Sequence, residues 1–355
     1  MKAILLAGGL GTRLRPLTLN TPKPIVPLLD QPFIQHQIDL IRTIPDIDEI
    51  ILSLNYQPNV IEEVLRTACP GKPNIRYVCE PEPLGTGGAI RYAAGDTTST
   101  IVAFNGDVLS EINLEKMLAL HKTRNARATI ALTPVENPLA YGLVESETNG
   151  NIIRFIEKPD PFDITTKNIN AGVYILEAST FDRIPLETKY SIERSYFPSL
   201  IERNETFLAY IDTGYWLDIG TPDKYLQAHR DILDGRCTSS LYEIQKAGGP
   251  TIQDGAQVHP SARLERNCYV GHNATVGRNV HLGEHAVVGR GVTVGPESSI
   301  YRSVLWPESS IGAGVCIDGT ILGHRCNIGD YCQLGPGAVI GDDSSISPYT
   351  KASDT

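Results

Sequence analysis

A short glycine-rich loop with basic neighbours is the part of this chain best suited to chemistry. The apolar run 2–7 is typical of a buried strand, and the loop 8–11 contains three glycines and follows it directly. Glycines in such a turn let backbone N–H groups approach a phosphate with no Cβ in the way. Arg13 adds a guanidinium that can hold two phosphate oxygens, and Lys23 stands between two stiffening prolines. The loop therefore predicts a phosphate-binding site.

The segments around this loop predict the sheet that must position it. Strand-like apolar runs such as 49–54 and 101–104 alternate with helical patterns over roughly the first 232 residues. Such alternation is typical of a mixed, mostly parallel sheet covered by helices, a Rossmann-like α/β domain. Ligands of such sheets bind beyond the carboxyl ends of the strands. Asp107 and Asp218 are expected at or near such strand ends, in the same region as the glycine-rich loop.

The last hundred residues have a different pattern, because apolar residues recur every six positions. The repeat starts at Val258, slips in phase near Trp306, and continues to Ile346, with small residues two positions before the apolar ones. This is the hexapeptide repeat of a left-handed parallel β-helix, in which the large aliphatic side chains fill the interior. Three cysteines occupy the small-residue position and are expected to pack in the core rather than react: Cys268, Cys326 and Cys332. We expect a catalytic domain over 1–234, a linker over 235–250 and the β-helix over 251–350.

Seven ordered fragments resemble the sugar-1-phosphate nucleotidyltransferase family. They cover most of the expected catalytic domain, and as an ordered set they are far more specific than any one alone. The resemblance is strongest to the guanylyl branch of the family, which acts on mannose 1-phosphate. Pro81 and Ala89 depart from the pattern of that branch. Pro81 is also similar to the thymidylyl branch. The fragments are residues 8–24, 80–88, 105–107, 141–142, 155–159, 170–174 and 216–222.

The resemblance implies a reaction and a role for each matching residue. The reaction joins an NTP, with GTP favoured, to a sugar 1-phosphate, with mannose 1-phosphate favoured, and releases pyrophosphate. Mg²⁺ is the implied cofactor, since hard oxygen ligands and phosphates suit it. The implied catalytic residues are Arg13, Lys23 and Lys158, and the implied metal ligands are Asp107 and Asp218. The implied nucleotide contacts are Leu6, Ala7, Gly8, Gly9, Gly11, Thr12, Glu80 and Gly85, and the implied sugar contacts are Tyr141, Gly142, Glu157 and Asn170.

The choice of base depends on Glu80. An ionised carboxylate only accepts hydrogen bonds, and guanine offers two adjacent donors on one edge. Uracil and thymine offer one N–H between two carbonyls, and adenine presents a ring lone pair beside its amine. If Glu80 faces the base edge, guanine is therefore favoured.

Composition excludes several classes of protein. The 355 residues are 41% hydrophobic and 20% charged, as in soluble globular proteins. The net charge of −10, from 41 acidic and 31 basic residues, argues against a broad nucleic-acid surface. The seven cysteines lack metal-binding spacing and indicate reduced thiols in a cytoplasmic protein. No apolar run is long enough to span a membrane, and because a strand is predicted directly after Met1, we expect no signal peptide.

Three alternative functions stay open at this point. The first is a thymidylyl-, uridylyl- or adenylyltransferase that acts on glucose 1-phosphate. The second is a bifunctional enzyme whose β-helix also transfers an acyl group, with a base drawn from His259, His272, His281, His285 or His324. The third is a non-catalytic regulatory subunit of the same architecture. In each case we expect a homo-oligomer, and the rod of the β-helix is the candidate surface for its assembly.

Overall fold

The computed structural model describes residues 1–237 and 249–353 of the chain. The predicted linker, 235–250, lies mostly outside the described residues. The domain boundaries expected from the sequence therefore stay a prediction.

The described residues form two compact units that do not follow the order of the chain. One unit combines Met1–Gly9 with Gln37–Trp216. The other combines Leu10–His36 with the described residues from Leu217 onward. The glycine-rich loop is thus divided between the units at the Gly9–Leu10 peptide bond.

A nine-stranded mixed sheet forms the centre of the first unit. Its middle is parallel and runs in the order Ile101–Asn105, Lys2–Leu6, Glu49–Leu54 and Asn74–Cys79. These strands are rich in Ile, Val and Leu because helices cover both faces of a parallel sheet. Antiparallel pairing adds Asn168–Leu176 beside Ile101–Asn105, and the remaining strands are Gly142–Ser146, Ile152–Glu157, Ala128–Pro134 and Phe207–Ile211. The predicted α/β fold class is confirmed.

Helices pack on this sheet through apolar faces. The core between them includes the fully buried side chains of Ile4, Tyr174 and Phe197. Local signals fix the helix ends; for example, the Asn113 side chain accepts a hydrogen bond from the backbone N–H of Lys116 at 3.0 Å. The helices of the described chain are Gln35–Arg42, Pro58–Ala68, Gly85–Ala94, Leu114–Thr123, Phe197–Glu202 and Pro222–Leu233, with a π-helical turn at Ile192–Tyr196.

The second unit contains the left-handed parallel β-helix that the hexapeptide pattern predicts. Its short strands stack into three parallel six-stranded sheets, and each coil usually takes 18 residues, as in the pairing of Val270 with Val288. Two coils take 17 residues, since Val288 pairs with Leu305 and Leu305 with Leu322, which explains the phase slip at Trp306. The three sheets begin at Thr251–Ile252, Gln257–Val258 and Arg263–Leu264, and they end at Val339–Ile340, Ser345–Ile346 and Lys351–Ala352.

The interior of the β-helix is apolar, as the repeat predicts. Cys268, Cys326 and Cys332 are buried in it, and burial raises the pKa of the Cys268 thiol to about 12. The seven cysteines, all among the described residues, form no disulfide. Among the described residues, no helix is long and apolar enough to cross a membrane.

Candidate active site

The strand Lys2–Leu6 places the start of the glycine-rich loop at the carboxyl edge of the parallel sheet. Leu6 pairs with Ser53 on one side and Asn105 on the other, and the Ala7 N–H donates to the Ser53 carbonyl at 2.9 Å. A Cβ built on Gly8 would lie 3.2 Å from the Asn55 backbone nitrogen, whereas one built on Gly9 would meet nothing within 4 Å. Gly8 therefore allows close backbone packing, and Gly9 leaves space for a ligand.

Glu80 lies beside this loop and is almost fully buried. Its Oε1 accepts a hydrogen bond from the Ser53 hydroxyl at 2.8 Å, and its Oε2 accepts one from the Leu84 N–H at 3.0 Å. A Cβ on Gly8 would lie 3.4 Å from Glu80 Oε1. The carboxylate is thus held in one orientation next to Gly8, and each oxygen keeps acceptor capacity beyond the bond it makes.

The sequence around Asp107 forms a tight turn at the end of the neighbouring strand. The Gly106 N–H donates to the Leu6 carbonyl at 3.0 Å, and a Cβ at Gly106 would clash with that carbonyl. The Gln37 side chain donates to the carbonyls of Asn105 and Val108, both at 2.8 Å. These contacts fix the half-buried Asp107 at the same sheet edge as Gly8.

The residues implied to bind the sugar come from an adjacent pair of strands. Glu157 pairs directly with Gly142 in the antiparallel register. A Cβ on Gly142 would lie 3.0 Å from Glu157 Oε2 and 2.8 Å from the Phe155 ring, so only glycine fits. Tyr141 packs edge-to-face on Trp216 with ring centroids 5.3 Å apart. The absence of a side chain at Gly142 therefore leaves the space that the Glu157 carboxylate and the Phe155 ring occupy.

Lys158 holds an uncommon backbone conformation. Its φ of +54° lies in the left-handed region, which costs a non-glycine residue free energy, and its N–H donates to the Tyr141 carbonyl at 3.1 Å. Such strain is often found at functional positions. The side chain of Lys158 is exposed.

Asn170 makes local contacts with its amide. Its Nδ2 donates to the Tyr174 hydroxyl at 2.9 Å, and its Oδ1 accepts from the Gly172 N–H at 2.9 Å. Asn105 also donates to this hydroxyl, at 3.3 Å. Burial raises the pKa of Tyr174 well above its usual value, and the charge of Glu193 adds to this, so Tyr174 stays a neutral phenol that orients both amides.

Sequence reasoning missed Glu193, which lies near Glu157. Burial raises the pKa of Glu157, and the negative charge of Glu193 raises it further, while Lys158 and Arg194 lower it. The hydroxyls of Thr86 and Ser191 both donate to Glu193 Oε2 at 2.7 Å. The sequence does not mark Glu193 as a functional residue, because the run 191–194 is typical of an ordinary helix start. Ser191 caps the following turn by accepting a hydrogen bond from the Arg194 N–H.

In the second unit, Arg13 and Lys23 each lie against a glycine. Gly11 has a φ of +61°, and its carbonyl accepts a hydrogen bond from the Thr18 hydroxyl at 2.7 Å. A Cβ on Gly11 would lie 3.1 Å from the Cβ of Lys23, which is almost fully buried. The Arg13 guanidinium lies against Gly220, where a Cβ would approach its Nη2 to 2.7 Å. Glycines therefore make room for both basic side chains.

Asp218 is the last residue of the strand Trp216–Asp218 and belongs to the second unit. Its Oδ2 pairs with Lys224 Nζ at 3.3 Å, and its side chain is 14% exposed. Its Oδ1 is buried and, within the part of the chain that the structure describes, has no hydrogen-bond partner. A buried carboxylate oxygen with spare acceptor capacity fits a hard cation as a ligand. Sequence reasoning did not single out Lys224.

Comparison with known proteins identifies the family. The family model described as "Nucleotidyl transferase" matches residues 2–235. The chain belongs to the nucleotidyl transferase family. A second model, described as the EIF2B subunit epsilon LbH domain, matches residues 252–352 of this nucleotidyltransferase.

Several curated proteins resemble the nucleotidyltransferase over most of its length. A mannose-1-phosphate guanylyltransferase of Mycobacterium tuberculosis is 38% identical over 274 residues, which cover 77% of this chain and 75% of that protein. A probable mannose-1-phosphate guanylyltransferase 2 of Oryza sativa subsp. japonica is 34% identical over 343 residues, or 93% of each chain. These alignments confirm the resemblance predicted from the ordered fragments.

Solved structures add a likeness over about two thirds of the nucleotidyltransferase. HddC from Yersinia pseudotuberculosis has a TM-score of 0.55 and 29% sequence identity, with 64% of this chain and 97% of that chain covered. A second crystal structure of HddC, complexed with GMP-PN, gives the same TM-score at 28% identity.

The comparisons with known proteins test the predicted enzyme class but not the roles of single residues. The enzyme class is confirmed, while the role of each site residue stays a prediction. In the first unit, one edge of the sheet brings together Leu6, Ala7, Gly8, Glu80 and Asp107. Gly142 and Glu157 lie opposite each other on a different pair of strands.

Two of the five β-helix histidines named as alternative bases are held by hydrogen bonds to neighbouring side chains. His281 bonds to the Tyr301 hydroxyl at 2.9 Å and to Glu265 at 3.1 Å, and His285 bonds to Asp234 at 2.7 Å. These contacts favour a structural role for both imidazoles over acyl transfer.

Proposed function

We propose that this enzyme transfers the guanylyl group of GTP to mannose 1-phosphate and forms GDP-mannose and pyrophosphate. The observation that carries the choice of base is the Glu80 carboxylate fixed beside Gly8 at the nucleotide end of the sheet. An acceptor-only group complements the adjacent N1–H and amine of guanine. The names of the relatives and the GMP-PN complex of HddC support the same choice.

The chemistry is an in-line displacement at the α-phosphorus. A phosphate oxygen of mannose 1-phosphate forms the new bond to that phosphorus, while the bond to the β-phosphate oxygen breaks and pyrophosphate leaves with the electron pair. Positioning and charge stabilisation supply most of the catalysis in such transfers. We assign Arg13 and Lys23 to the nucleotide phosphates and the leaving pyrophosphate, and Lys158 to the phosphate of the sugar.

Glycines and backbone amides of the loop complete the nucleotide site. We assign Gly8, Gly9, Gly11 and Thr12 to the phosphates and ribose, since a loop with small or absent side chains lets N–H groups reach anionic oxygens. Leu6, Ala7 and Gly85 are assigned to the nucleoside. Leu6 is held by its pairing with Ser53 of the neighbouring strand, and Ala7 by the hydrogen bond from its N–H to the Ser53 carbonyl.

Sugar recognition is assigned to the pair of strands that carries Glu157. Its carboxylate accepts hydrogen bonds from two neighbouring hydroxyls, and Gly142 lets the pyranose ring lie against the strand. The Asn170 amide and the Tyr141 ring border the same ligand in this proposal.

Asp107 and Asp218 are the proposed ligands of Mg²⁺. The buried, unpartnered Oδ1 of Asp218 fits this role, and phosphate oxygens would complete the shell, as Mg²⁺ prefers few carboxylates. When bound, the ion would neutralise charge on the phosphates and on the leaving group. Lys224 holds the other oxygen of Asp218 and so fixes the orientation of its carboxylate.

We further propose a cytoplasmic homo-oligomer. Seven free cysteines are compatible with a reducing compartment. The regular outer face of the β-helix is the surface proposed for pairing.

Product identification tests the reaction. Purified enzyme, GTP, mannose 1-phosphate and Mg²⁺ should give GDP-mannose and pyrophosphate in equal amounts by phosphorus NMR and mass spectrometry. Release of inorganic phosphate alone would contradict the proposed transfer, and no turnover would contradict it in favour of the regulatory-subunit alternative.

Glu80→Gln tests the proposed reading of guanine. The amide replaces one acceptor oxygen with a donor, so we expect kcat/KM for GTP to fall at least tenfold, about the effect of one lost charged hydrogen bond. Glu82→Gln, an exposed change in the same loop, is the control. An unchanged preference for GTP in Glu80→Gln would sink this assignment.

A further inference from the structure

The segment Leu10–His36, which contains Arg13 and Lys23, lies along one corner of the β-helix. The corner follows the sheet that begins at Thr251–Ile252, and after its first coil it consists of Gly271, Gly289, Trp306, Gly323 and Gly341, one residue from each of the next five coils. We call these five residues the corner column. The segment Leu10–His36 belongs to the same compact unit.

Asp30 attaches one end of the segment to the first coils of the column. Its Oδ1 accepts a hydrogen bond from the Arg290 N–H at 2.9 Å, and its Oδ2 accepts one from the His272 N–H at 3.1 Å. The Tyr269 hydroxyl is 3.2 Å from the same Oδ2. Because His272 and Arg290 occupy successive coils, one carboxylate bridges two coils through charge-assisted bonds.

Thr21 attaches the other end to the last coils. Its hydroxyl donates to Asp342 Oδ2 at 3.1 Å, and Asp342 Oδ1 accepts from the His324 N–H at 2.8 Å. A Cβ on Gly341 would lie 3.2 Å from the Pro16 side chain, so the glycine lets the segment approach closely. Strands in a sheet lie about 4.8 Å apart, so the three coil steps between Arg290 and Asp342 span about 14 Å.

Trp306 attaches the middle of the segment. It stands where the other four members of the corner column are glycine, and it is fully buried. Its Nε1–H donates to the Tyr225 hydroxyl at 2.8 Å, and that hydroxyl donates to the Pro27 carbonyl. His229 accepts from the Leu29 N–H at 3.1 Å. The segment is therefore held at three places along one corner of the rod.

We propose that the corner column positions the phosphate-binding lysine, and that Thr21 and Asp342 are positioning residues for nucleotidyl transfer. Thr21 is joined to the buried Lys23 through the rigid Pro22, so a displaced Thr21 moves Lys23. Displacements of about 1 Å can cost about a hundredfold in rate. The β-helix then contributes to catalysis, and this inference rests on the proposed role of Lys23.

A double-mutant cycle on kcat for pyrophosphate release tests this inference. Thr21→Val removes the hydroxyl at constant shape, and Thr21→Ser restores it. We expect Thr21→Val and Asp342→Ala each to lower kcat about tenfold, with Thr21→Ser within about twofold of wild type. The double variant Thr21→Val/Asp342→Ala should lose about tenfold rather than a hundredfold, because both changes break one contact.

The matched control is Asp343→Asn, next to Asp342, which breaks an exposed ion pair with Arg325 of the preceding coil and should leave kcat within about twofold of wild type. Wild-type kcat in both single variants, multiplied losses in the double variant, or an equal loss in Asp343→Asn would overturn the inference. If Asp342→Ala does not fold, the comparison of Thr21→Val with Thr21→Ser decides the question. The cycle uses whichever substrate pair the wild type turns over best, so an error in the proposed substrates would show separately.

Discussion

Glu157 and Glu193 form a pair of carboxylates whose charges act on each other. Burial raises the pKa of Glu157, and Glu193 raises it further. In the proposed function Glu157 must be ionised to accept hydrogen bonds from sugar hydroxyls, so kcat/KM for mannose 1-phosphate should rise with pH through the pKa of Glu157. Because that pKa lies above its value in the unfolded chain, this group also lowers the free energy of unfolding as pH rises through the same window.

Glu193→Gln should move the rise in kcat/KM to lower pH, since the variant loses a negative charge that holds the proton on Glu157. The measurement is a pH profile of kcat/KM for mannose 1-phosphate, with the exposed Glu63→Gln as the control. A profile in Glu193→Gln that overlays the wild type would show that the two carboxylates are not coupled.

Asp218→Asn tests the proposed metal ligand. Asparagine keeps the size of the side chain but loses its charge, so we expect kcat to fall by about a hundredfold or more, as for a lost electrostatic contact to the transition state. The melting temperature should stay close to wild type. Asp223→Asn, an exposed change in the next helix, controls for general effects of charge. Near-wild-type turnover in Asp218→Asn at ordinary Mg²⁺ concentrations would reject the assignment.

At the scale of elements, the glycine run 85–88 shows how a motif can have a packing role. The N–H groups of Gly87 and Gly88 donate to the Tyr190 carbonyl at 2.9 and 3.1 Å, and a Cβ at Gly88 would clash with the Thr188 carbonyl. The sequence predicts a nucleoside contact at Gly85, but it contains no signal for this packing, since the partner residues are about a hundred positions away.

Gly88→Ala should therefore destabilise the protein by roughly 1–3 kcal/mol, as overpacked core positions do. In an isolated helix the same substitution would raise the stability of the helix, because alanine is a better helix former than glycine. Urea unfolding measures the difference, with Gly249→Ala as a control at an open position. A more stable Gly88→Ala variant would show that the Gly88–Thr188 approach is unimportant.

At the scale of the whole molecule, periodic patterns predicted most of the architecture. The strand Glu49–Leu54 and the β-helix repeat follow from local hydrophobic spacing, which a single sequence displays. The division of the chain into units was not predictable in this way. The contact of Asp30 with Arg290 joins residues 260 positions apart, and no periodic signal marks such a pair.

The most direct test of the central claim is a substrate matrix. Pyrophosphate release would be measured with Mg²⁺ for GTP, dTTP, UTP, ATP and CTP, each with mannose 1-phosphate and glucose 1-phosphate. The account predicts the highest kcat/KM for GTP with mannose 1-phosphate. A clear maximum for another pair, such as dTTP with glucose 1-phosphate, would contradict it.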